Sequence, residues 1–419
     1  MIERCLWAQD PPPAVRAPGP VPERCDVAIV GGGYTGLAAA RALALRGAAV
    51  TVLEQHTIGS GASGRNGGFV LPGYKPDIEA LARKLGLEEA RRLFRLSLEA
   101  VEYLERLIGA GDIACDYTRC GAVTLAAKPG HLQALAESAR FLRQSLGYET
   151  TVLGPGELGT EIDSPRYHGA LVDPGAGSLH PGRYVRGLAQ AAERAGATIA
   201  EGVEVRGVRR DGGLVLVDTA HGTVRANQVL AATNGYTGAA FPDLRRRVVP
   251  VGSYLIATAP LDAGLASRLI PRGRVLSDTK NLLYYFRLSP DRRMVFGGRA
   301  AFTPTPVARA ADVLARAMLE VFPALAGVAV EYAWGGQVAF ALDQMPHAGS
   351  LGGLHYALGY AGHGVAMSTW LGARMGEALA GGERLPEITT PFRAVPFYHG
   401  RPWFLPLAGG YYRMKDWMS

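Results

Sequence analysis

Along the chain the apolar positions change period several times, and each change marks an element. Residues 26–30 are a short apolar run with the pattern of a buried strand. Residues 37–46 are alanine-rich with helical spacing, and Gly47 stops them. Residues 49–53 form a second apolar strand, so the chain opens as a βαβ unit. The glycine-rich stretch 59–68 fits no regular element. Leucines spaced by three and four predict one helix over 78–108. A strand at 121–127 follows, then helices at 132–146 and 183–195 and a strand at 198–206. Segments 214–219 and 223–225 alternate around His221-Gly222, which predicts a hairpin. Residues 229–232 form a buried strand ending at Thr233-Asn234-Gly235.

From residue 248 the pattern changes. Strands are predicted at 253–259, 282–288 and 293–296, with a tight turn at Asp291-Arg292, which suggests a mixed, largely antiparallel sheet. A helix over 307–322 follows. Near His355 the chain returns to a short buried strand, then glycines, then a long helix to Leu379. The first unit is therefore built from separated segments, and no internal repeat is seen. At 419 residues and 44.4 kDa the chain exceeds one typical core, so two intertwined domains are expected.

Charge changes this picture little. The net charge is +7, but the basic residues are scattered, and only five of the 44 are lysines. The scatter argues against nucleic acid as a partner, and the arginine bias reads as a genomic composition effect. The four cysteines (Cys5, Cys25, Cys115, Cys120) form no CxxC pair and no metal-ligand spacing, so no metal site and no oxidising compartment are expected. The charged start of the chain has no signal-peptide core, and no apolar run spans a bilayer, so a cytoplasmic protein without a transmembrane segment is expected. Residues 11–22 read as a proline-rich arm.

The chemistry begins at Gly31-Gly32-Gly33-Tyr34-Thr35-Gly36, a GxGxxG that follows a strand and opens a helix. Gly31 permits the turn, Gly33 lets backbone approach a pyrophosphate, and Gly36 lets helix and strand pack closely. Glu54 ends the second strand, 18 residues past Gly36, where a carboxylate can bind an unphosphorylated ribose. NADP is thereby disfavoured. Two further glycine-rich places, 59–68 and 359–364, let backbone approach a flat ring system from two directions. That need favours FAD over a nicotinamide cofactor.

Several longer segments then resemble a known family: GGGYTGL (31–37), GASGRNGG (61–68), SLHP (178–181), the run from Asp278 to Arg299, WGG (334–336) and GYAGHGV (359–365). The chain is similar to the D-amino-acid-oxidase-like FAD oxidoreductases, which include glycine and sarcosine oxidases, and most of all to their γ-glutamylputrescine oxidoreductase branch. The early Leu6-Trp7 and Pro11-Pro12-Pro13 also fit that branch. The resemblance implies an α/β fold with a discontinuous, Rossmann-like FAD domain and a sheet-based substrate domain. The expected division is an arm (1–23), an FAD domain (24–78, 152–236, 341–386), a substrate domain (79–151, 237–340) and a tail (387–419). Gly31, Gly33, Gly36 and Glu54 would hold the ADP half, with Tyr34, Thr35, Gln55, Thr233 and Asn234 beside them. Ser63, Arg65, Asn66, Gly67 and Gly68 would run along the pyrophosphate and isoalloxazine. Val205 would meet the adenine through its backbone, and Gly362, His363, Gly364 and Val365 would approach the pyrimidine end.

Oxidising a C–N bond passes two electrons to the cofactor and leaves an imine; the protein supplies orientation and electrostatics. The helix after Gly364 can stabilise negative charge on the reduced ring through free N–H groups. The substrate amine must be neutral, which burial favours, so no side-chain base is required. Catalytic candidates are Tyr285, Arg287 and His363. Alternation puts Tyr285 and Arg287 on one face and Tyr284 on the other; Arg299 and Trp334 are further candidates for the substrate wall. Core packing is the competing reading for the aromatics, and His363, between two glycines, suits packing beside the flavin better than acting as a base. The tail pair Tyr411-Tyr412 reads as packing.

Departures from the relatives refine this. No cysteine follows Cys120, so late-chain covalent attachment is excluded and non-covalent FAD is expected. Val295 stands where sarcosine oxidases carry an oxygen-activating lysine, and Ala366 where some relatives carry a carboxylate-binding lysine. A substituted amine is thus favoured over a simple amino acid, with electrons passing to oxygen or another acceptor. Three alternatives stay open. One is a flavoenzyme of a secondary or cyclic amino acid such as sarcosine or pipecolate, another a flavin subunit of an electron-transfer complex, and a distant one a nicotinamide dehydrogenase.

Overall fold

The computed structural model describes residues 2–9, 21–298, 305–381, 388 and 391–418. Most of the proline-rich arm falls outside them, as does Arg299. The opening βαβ unit consists of strand Arg24–Val30, helix Tyr34–Ala44 and strand Val50–Leu53, with Val27 beside Val50 and Val30 beside Leu53 in parallel. It forms the centre of a sheet ordered Val205–Asp211, Leu214–Thr219, Gly222–Ala231, Arg24–Val30, Val50–Leu53 and Thr198–Ala200. Strand Leu354–Leu358 joins it in parallel at Leu230 and Ala231, and His347–Leu351 pairs antiparallel with that strand.

Three differences from the sequence pattern have local causes. Segments 223–225 and 229–232 are one strand, Gly222–Ala231, whose first part pairs antiparallel with Leu214–Thr219 and whose remainder runs parallel to Arg24–Val30. The run 198–206 is two strands because Gly202 turns the chain at φ +72°. The helix expected over 78–108 is two, Ile78–Leu85 and Leu87–Ala110, because Gly86 stands at φ +90° and leaves the helical region. Leucine spacing carries across that break, so periodicity alone does not reveal it.

The helices on one face of this sheet share its core. Helix Tyr34–Ala44 buries five alanines, and helix Gly364–Leu379 crosses it closely. Gly372 and Gly376 make that crossing possible: a Cβ there would lie 2.2 Å from the Thr35 carbonyl oxygen and 2.5 Å from that of Ala39. Leu93, Val101 and Leu104 of helix Leu87–Ala110 pack in the same core as Val27 and Ile29. This helix therefore lies with the first sheet, although the sequence division put 79–151 with the second.

Among the described residues the second sheet has nine strands, ordered Ile2–Glu3, Val330–Phe340, Val249–Thr258, Met294–Gly298, Tyr284–Leu288, Val275–Asp278, Ala122–Leu125, Ala170–Asp173 and Thr151–Leu153. It is largely antiparallel, with parallel pairs at Ile2–Glu3 and between Val275–Asp278 and Ala122–Leu125. Ala170–Asp173 and all but the first residue of Thr151–Leu153 fall within the 152–236 segment expected in the FAD domain, yet their pairing ties them to Ala122–Leu125 through this sheet. The long strand Val330–Phe340 was not foreseen, since Gly335-Gly336 interrupts its apolar pattern. Phe286 and Phe296 stack at 5.3 Å under helix Val307–Val321 and form the second core. Among the described residues, no helix is long and apolar enough to cross a membrane.

Candidate functional site

The strand ending at Val30 turns at Gly31, whose φ of +112° and whose missing Cβ, which would lie 2.8 Å from the Ala232 carbonyl oxygen, both require glycine. Gly33 caps the Tyr34–Ala44 helix, and a side chain there would meet Ser63 Oγ at 2.8 Å. Gly36 lies against the turn, with a Cβ position only 2.0 Å from the Gly31 carbonyl oxygen. Glu54 follows the second strand. Its Oε2 accepts the Gly32 N–H at 2.7 Å and its Oε1 the His56 N–H at 3.0 Å, so the carboxylate stays beside the turn.

The Tyr34–Ala44 and Gly364–Leu379 helices both begin at one cavity of about 2150 Å³. Thr35 Oγ1 and Tyr360 Oη, 2.8 Å apart and buried, tie the two starts together. Every cofactor residue expected from the sequence lines this cavity except Gly36 and Gly68. Gly36 acts in helix packing. Gly68 turns at φ +76° behind the wall, where a Cβ would lie 2.2 Å from the Leu179 carbonyl oxygen. Asn234, at φ +44°, accepts the Gly359 N–H at 2.9 Å and so joins two of the separated segments.

The 59–68 loop is held from within and from behind. Asn66 Nδ2 donates to the Ala62 and Ser63 carbonyls at 3.1 and 3.0 Å, while its Oδ1 accepts the Gly68 N–H at 2.8 Å. Arg65 Nε donates to the Ser60 carbonyl at 2.6 Å and Nη1 to that of Gly335 at 3.1 Å, which ties the loop to strand Val330–Phe340.

The catalytic candidates separate. Tyr285 lines the cavity, 3.0 Å from Ser253 Oγ through its hydroxyl, with its ring against Gly67 and edge-on to Phe69. Tyr284 faces the second core and packs with Phe296, as alternation requires. Arg287 shares Tyr285's strand face but does not line the cavity. It is buried, with Nη1 donating to the Leu179 and Gly68 carbonyls at 3.0 and 3.3 Å. The expected substrate contact is therefore a buttress behind the 59–68 loop: two residues along the strand, its side chain runs under Gly68 instead of into open space. Burial lowers its pKa to about 10, which leaves it cationic at neutral pH.

His363 lines the cavity at the start of helix Gly364–Leu379, and its buried Nδ1 has no hydrogen-bond partner among the described residues. Burial, and then the charge of Lys75, push its pKa down to about 3, so it is neutral at physiological pH. Trp334 is core; its Nε1 donates to the Arg65 carbonyl at 2.8 Å. Val295 is buried among Leu255, Trp7 and Trp334, out of reach of the cavity. Lys75, His131 and Lys415 line the cavity and were not singled out from the sequence. A signal was present: three of only five lysines, Lys75, Lys280 and Lys415, face this one cavity in a chain dominated by arginine.

Two helix starts suited to phosphates, a carboxylate at a strand end and a glycine-walled slot with an unpaired imidazole nitrogen together fit a flavin dinucleotide. The family model described as FAD dependent oxidoreductase, DAO, matches residues 26–378. The chain belongs to the DAO family.

It is thus an FAD-dependent oxidoreductase, as its DAO relatives are. The chain is 34% identical to γ-glutamylputrescine oxidoreductase of Escherichia coli over 94% of its own length and 93% of that protein. It is also 34% identical to the probable oxidoreductase OrdL of Haemophilus influenzae, over 90% of this chain and 88% of that one. The fold matches the crystal structure of glycine oxidase from Geobacillus kaustophilus with a TM-score of 0.73, at 24% identity, covering 90% of this chain and all of the other.

Proposed function

We propose that the protein oxidises the C–N bond of a substituted amine of the γ-glutamylputrescine type to an imine, which water converts to an aldehyde and a free amine. The carrying observation is the near full-length similarity to a γ-glutamylputrescine oxidoreductase. The cavity supports it. Beyond Tyr285 the wall continues through His131, Ser138 and Asn281, with Lys75 and Lys415 as cations suited to a carboxylate at the non-reacting end of the substrate.

FAD, when bound, supplies the two-electron acceptor for this oxidation. The glycine turn at 31–33, the Tyr34–Ala44 helix start and Glu54 would hold its nucleotide half. The 61–68 loop and residues 362–365 would hold the ring. The start of helix Gly364–Leu379 offers N–H groups where negative charge gathers on reduction. Tyr285 forms the substrate-side wall with Ser253, and withdrawal of the amine from water there favours its neutral form. Neutral His363 packs beside the ring and can accept a hydrogen bond at Nδ1. In this reading the first sheet carries the cofactor and the nine-stranded sheet the substrate wall. Cofactor binding is non-covalent, consistent with the absence of cysteine from the described residues lining the cavity.

A turnover panel tests the proposal: γ-glutamylputrescine, putrescine, sarcosine and pipecolate, each with oxygen and with a dye acceptor. Preferred turnover of γ-glutamylputrescine, with aldehyde as product, is expected. The ratio of the two rates sorts an oxidase from a dehydrogenase. Preference for pipecolate or sarcosine would instead support an amino-acid enzyme.

A further inference from the structure

We infer that Trp7, outside the dinucleotide fold and outside the cavity, is a positioning residue for the flavin: its indole N–H holds the Asn66 carbonyl so that the Gly67 N–H faces the cofactor. The inference rests on the FAD-dependent family membership and is independent of which amine is oxidised.

The N-terminal segment reaches the back of the flavin loop because Ile2–Glu3 adds a parallel strand to Val330–Phe340. Three successive loop carbonyls are then taken from behind. Cys5 Sγ donates to the Gly64 carbonyl at 3.4 Å, Trp334 Nε1 to that of Arg65 at 2.8 Å, and Trp7 Nε1 to that of Asn66 at 2.8 Å. Burial pushes the Cys5 thiol up to about 11, so it stays a neutral donor. Trp7 is almost wholly buried, set edge-on to Trp334 and His180. The Arg287 guanidinium lies 5.6 Å from its ring.

A trans peptide is planar, and its C=O and N–H point in opposite directions. Each carbonyl held from behind therefore turns the next N–H forward. The N–H groups of Arg65 and Asn66 are consumed within the loop by the Ala62 carbonyl, and that of Gly68 by Asn66 Oδ1. The Gly67 N–H, which follows the carbonyl held by Trp7, has no partner among the described residues, and Gly67 lines the cavity. Of the two tryptophans, Trp7 thus controls the donor that remains for a ligand.

Apoprotein of wild type, Trp7→Phe and Trp334→Phe, titrated with FAD, tests this. Phenylalanine keeps a six-membered aromatic ring but loses the pyrrole edge with its N–H, so Trp334→Phe, which loses the same atoms at an equally buried site, is the matched control for the cavity. Trp7→Phe is expected to weaken FAD binding about tenfold, as for loss of one oriented hydrogen bond. It should also shift the visible band of the bound flavin without lowering the apoprotein unfolding midpoint in proportion. Trp334→Phe should weaken binding less than about threefold. If Trp7→Phe does not fold, Gly182→Ala probes the same contact, because its methyl would lie 2.3 Å from the Trp7 carbonyl oxygen and push the segment outward. FAD affinity and flavin spectrum unchanged in Trp7→Phe, or in Gly182→Ala where that is used, would overturn the inference. So would equal losses in the two tryptophan variants.

Discussion

The two sides of the cavity are built from different materials. The side proposed for the nucleotide is backbone: a glycine turn, two helix starts and a loop with three carbonyls held from behind. The side proposed for the substrate is side chains: Tyr285 and Ser253 on strands, with Lys75 in a loop and Lys415 on the helix Leu405–Met418. A backbone-built wall constrains sequence severely, because any Cβ at Gly31 or Gly36 meets main chain within 2.8 or 2.0 Å. A side-chain wall tolerates exchange, and substrate choice resides there.

Substitutions sharpen that contrast. The largest effect is expected from Gly33→Val, which crowds Ser63 and blocks approach to the helix start. FAD affinity should fall at least about a hundredfold, two powers of ten being roughly 2.7 kcal/mol, and the protein should purify colourless; a yellow variant would contradict the backbone account. Arg287→Met removes the buried cation from the Gly68 and Leu179 carbonyls, of which that of Gly68 keeps the Leu179 N–H as a donor. It is expected to lower stability by about 2 kcal/mol and to loosen FAD, with the substrate KM unchanged in whatever enzyme remains loaded. A selective rise in KM would return Arg287 to the substrate wall.

Tyr285→Phe is the matched test on the other side. FAD should stay bound while kcat/KM falls about tenfold, the scale of one hydrogen bond; unchanged kinetics would remove Tyr285 from the site. The smallest effect concerns pH. The folded pKa of His363 is depressed, so below the unfolded value, about 6.5, the unfolded chain takes up a proton that the folded chain does not. Its contribution to stability is present above that pH and is lost as pH falls. Unfolding midpoints of His363→Gln should therefore depend less on pH between about 6.5 and 5 than those of wild type. Parallel curves would place the histidine's titration elsewhere.

The same contrast explains what the sequence disclosed. Gly31, Gly33, Gly36 and Glu54 stood at fixed spacing around a strand and a helix, and the structure places them as that spacing requires. Strand alternation separated Tyr285 from Tyr284 correctly but could not tell that Arg287 runs beneath Gly68, because a long side chain's reach depends on a loop 219 residues away in sequence. Strand Val330–Phe340 was hidden by its own glycines, which give room to Tyr254 and to Arg65 across from them. Helix Leu87–Ala110 joined the first core through contacts that no local pattern records. Trp7 showed only as part of a resemblance; its role appears once three loop carbonyls are seen to share one backing.

The central claim is tested most directly by the anaerobic visible spectrum of the purified protein before and after γ-glutamylputrescine. The account predicts a non-covalent flavin spectrum, with flavin released on denaturation, that this amine bleaches within turnover time. A bound flavin that neither this amine nor any other amine of the panel reduces would contradict it.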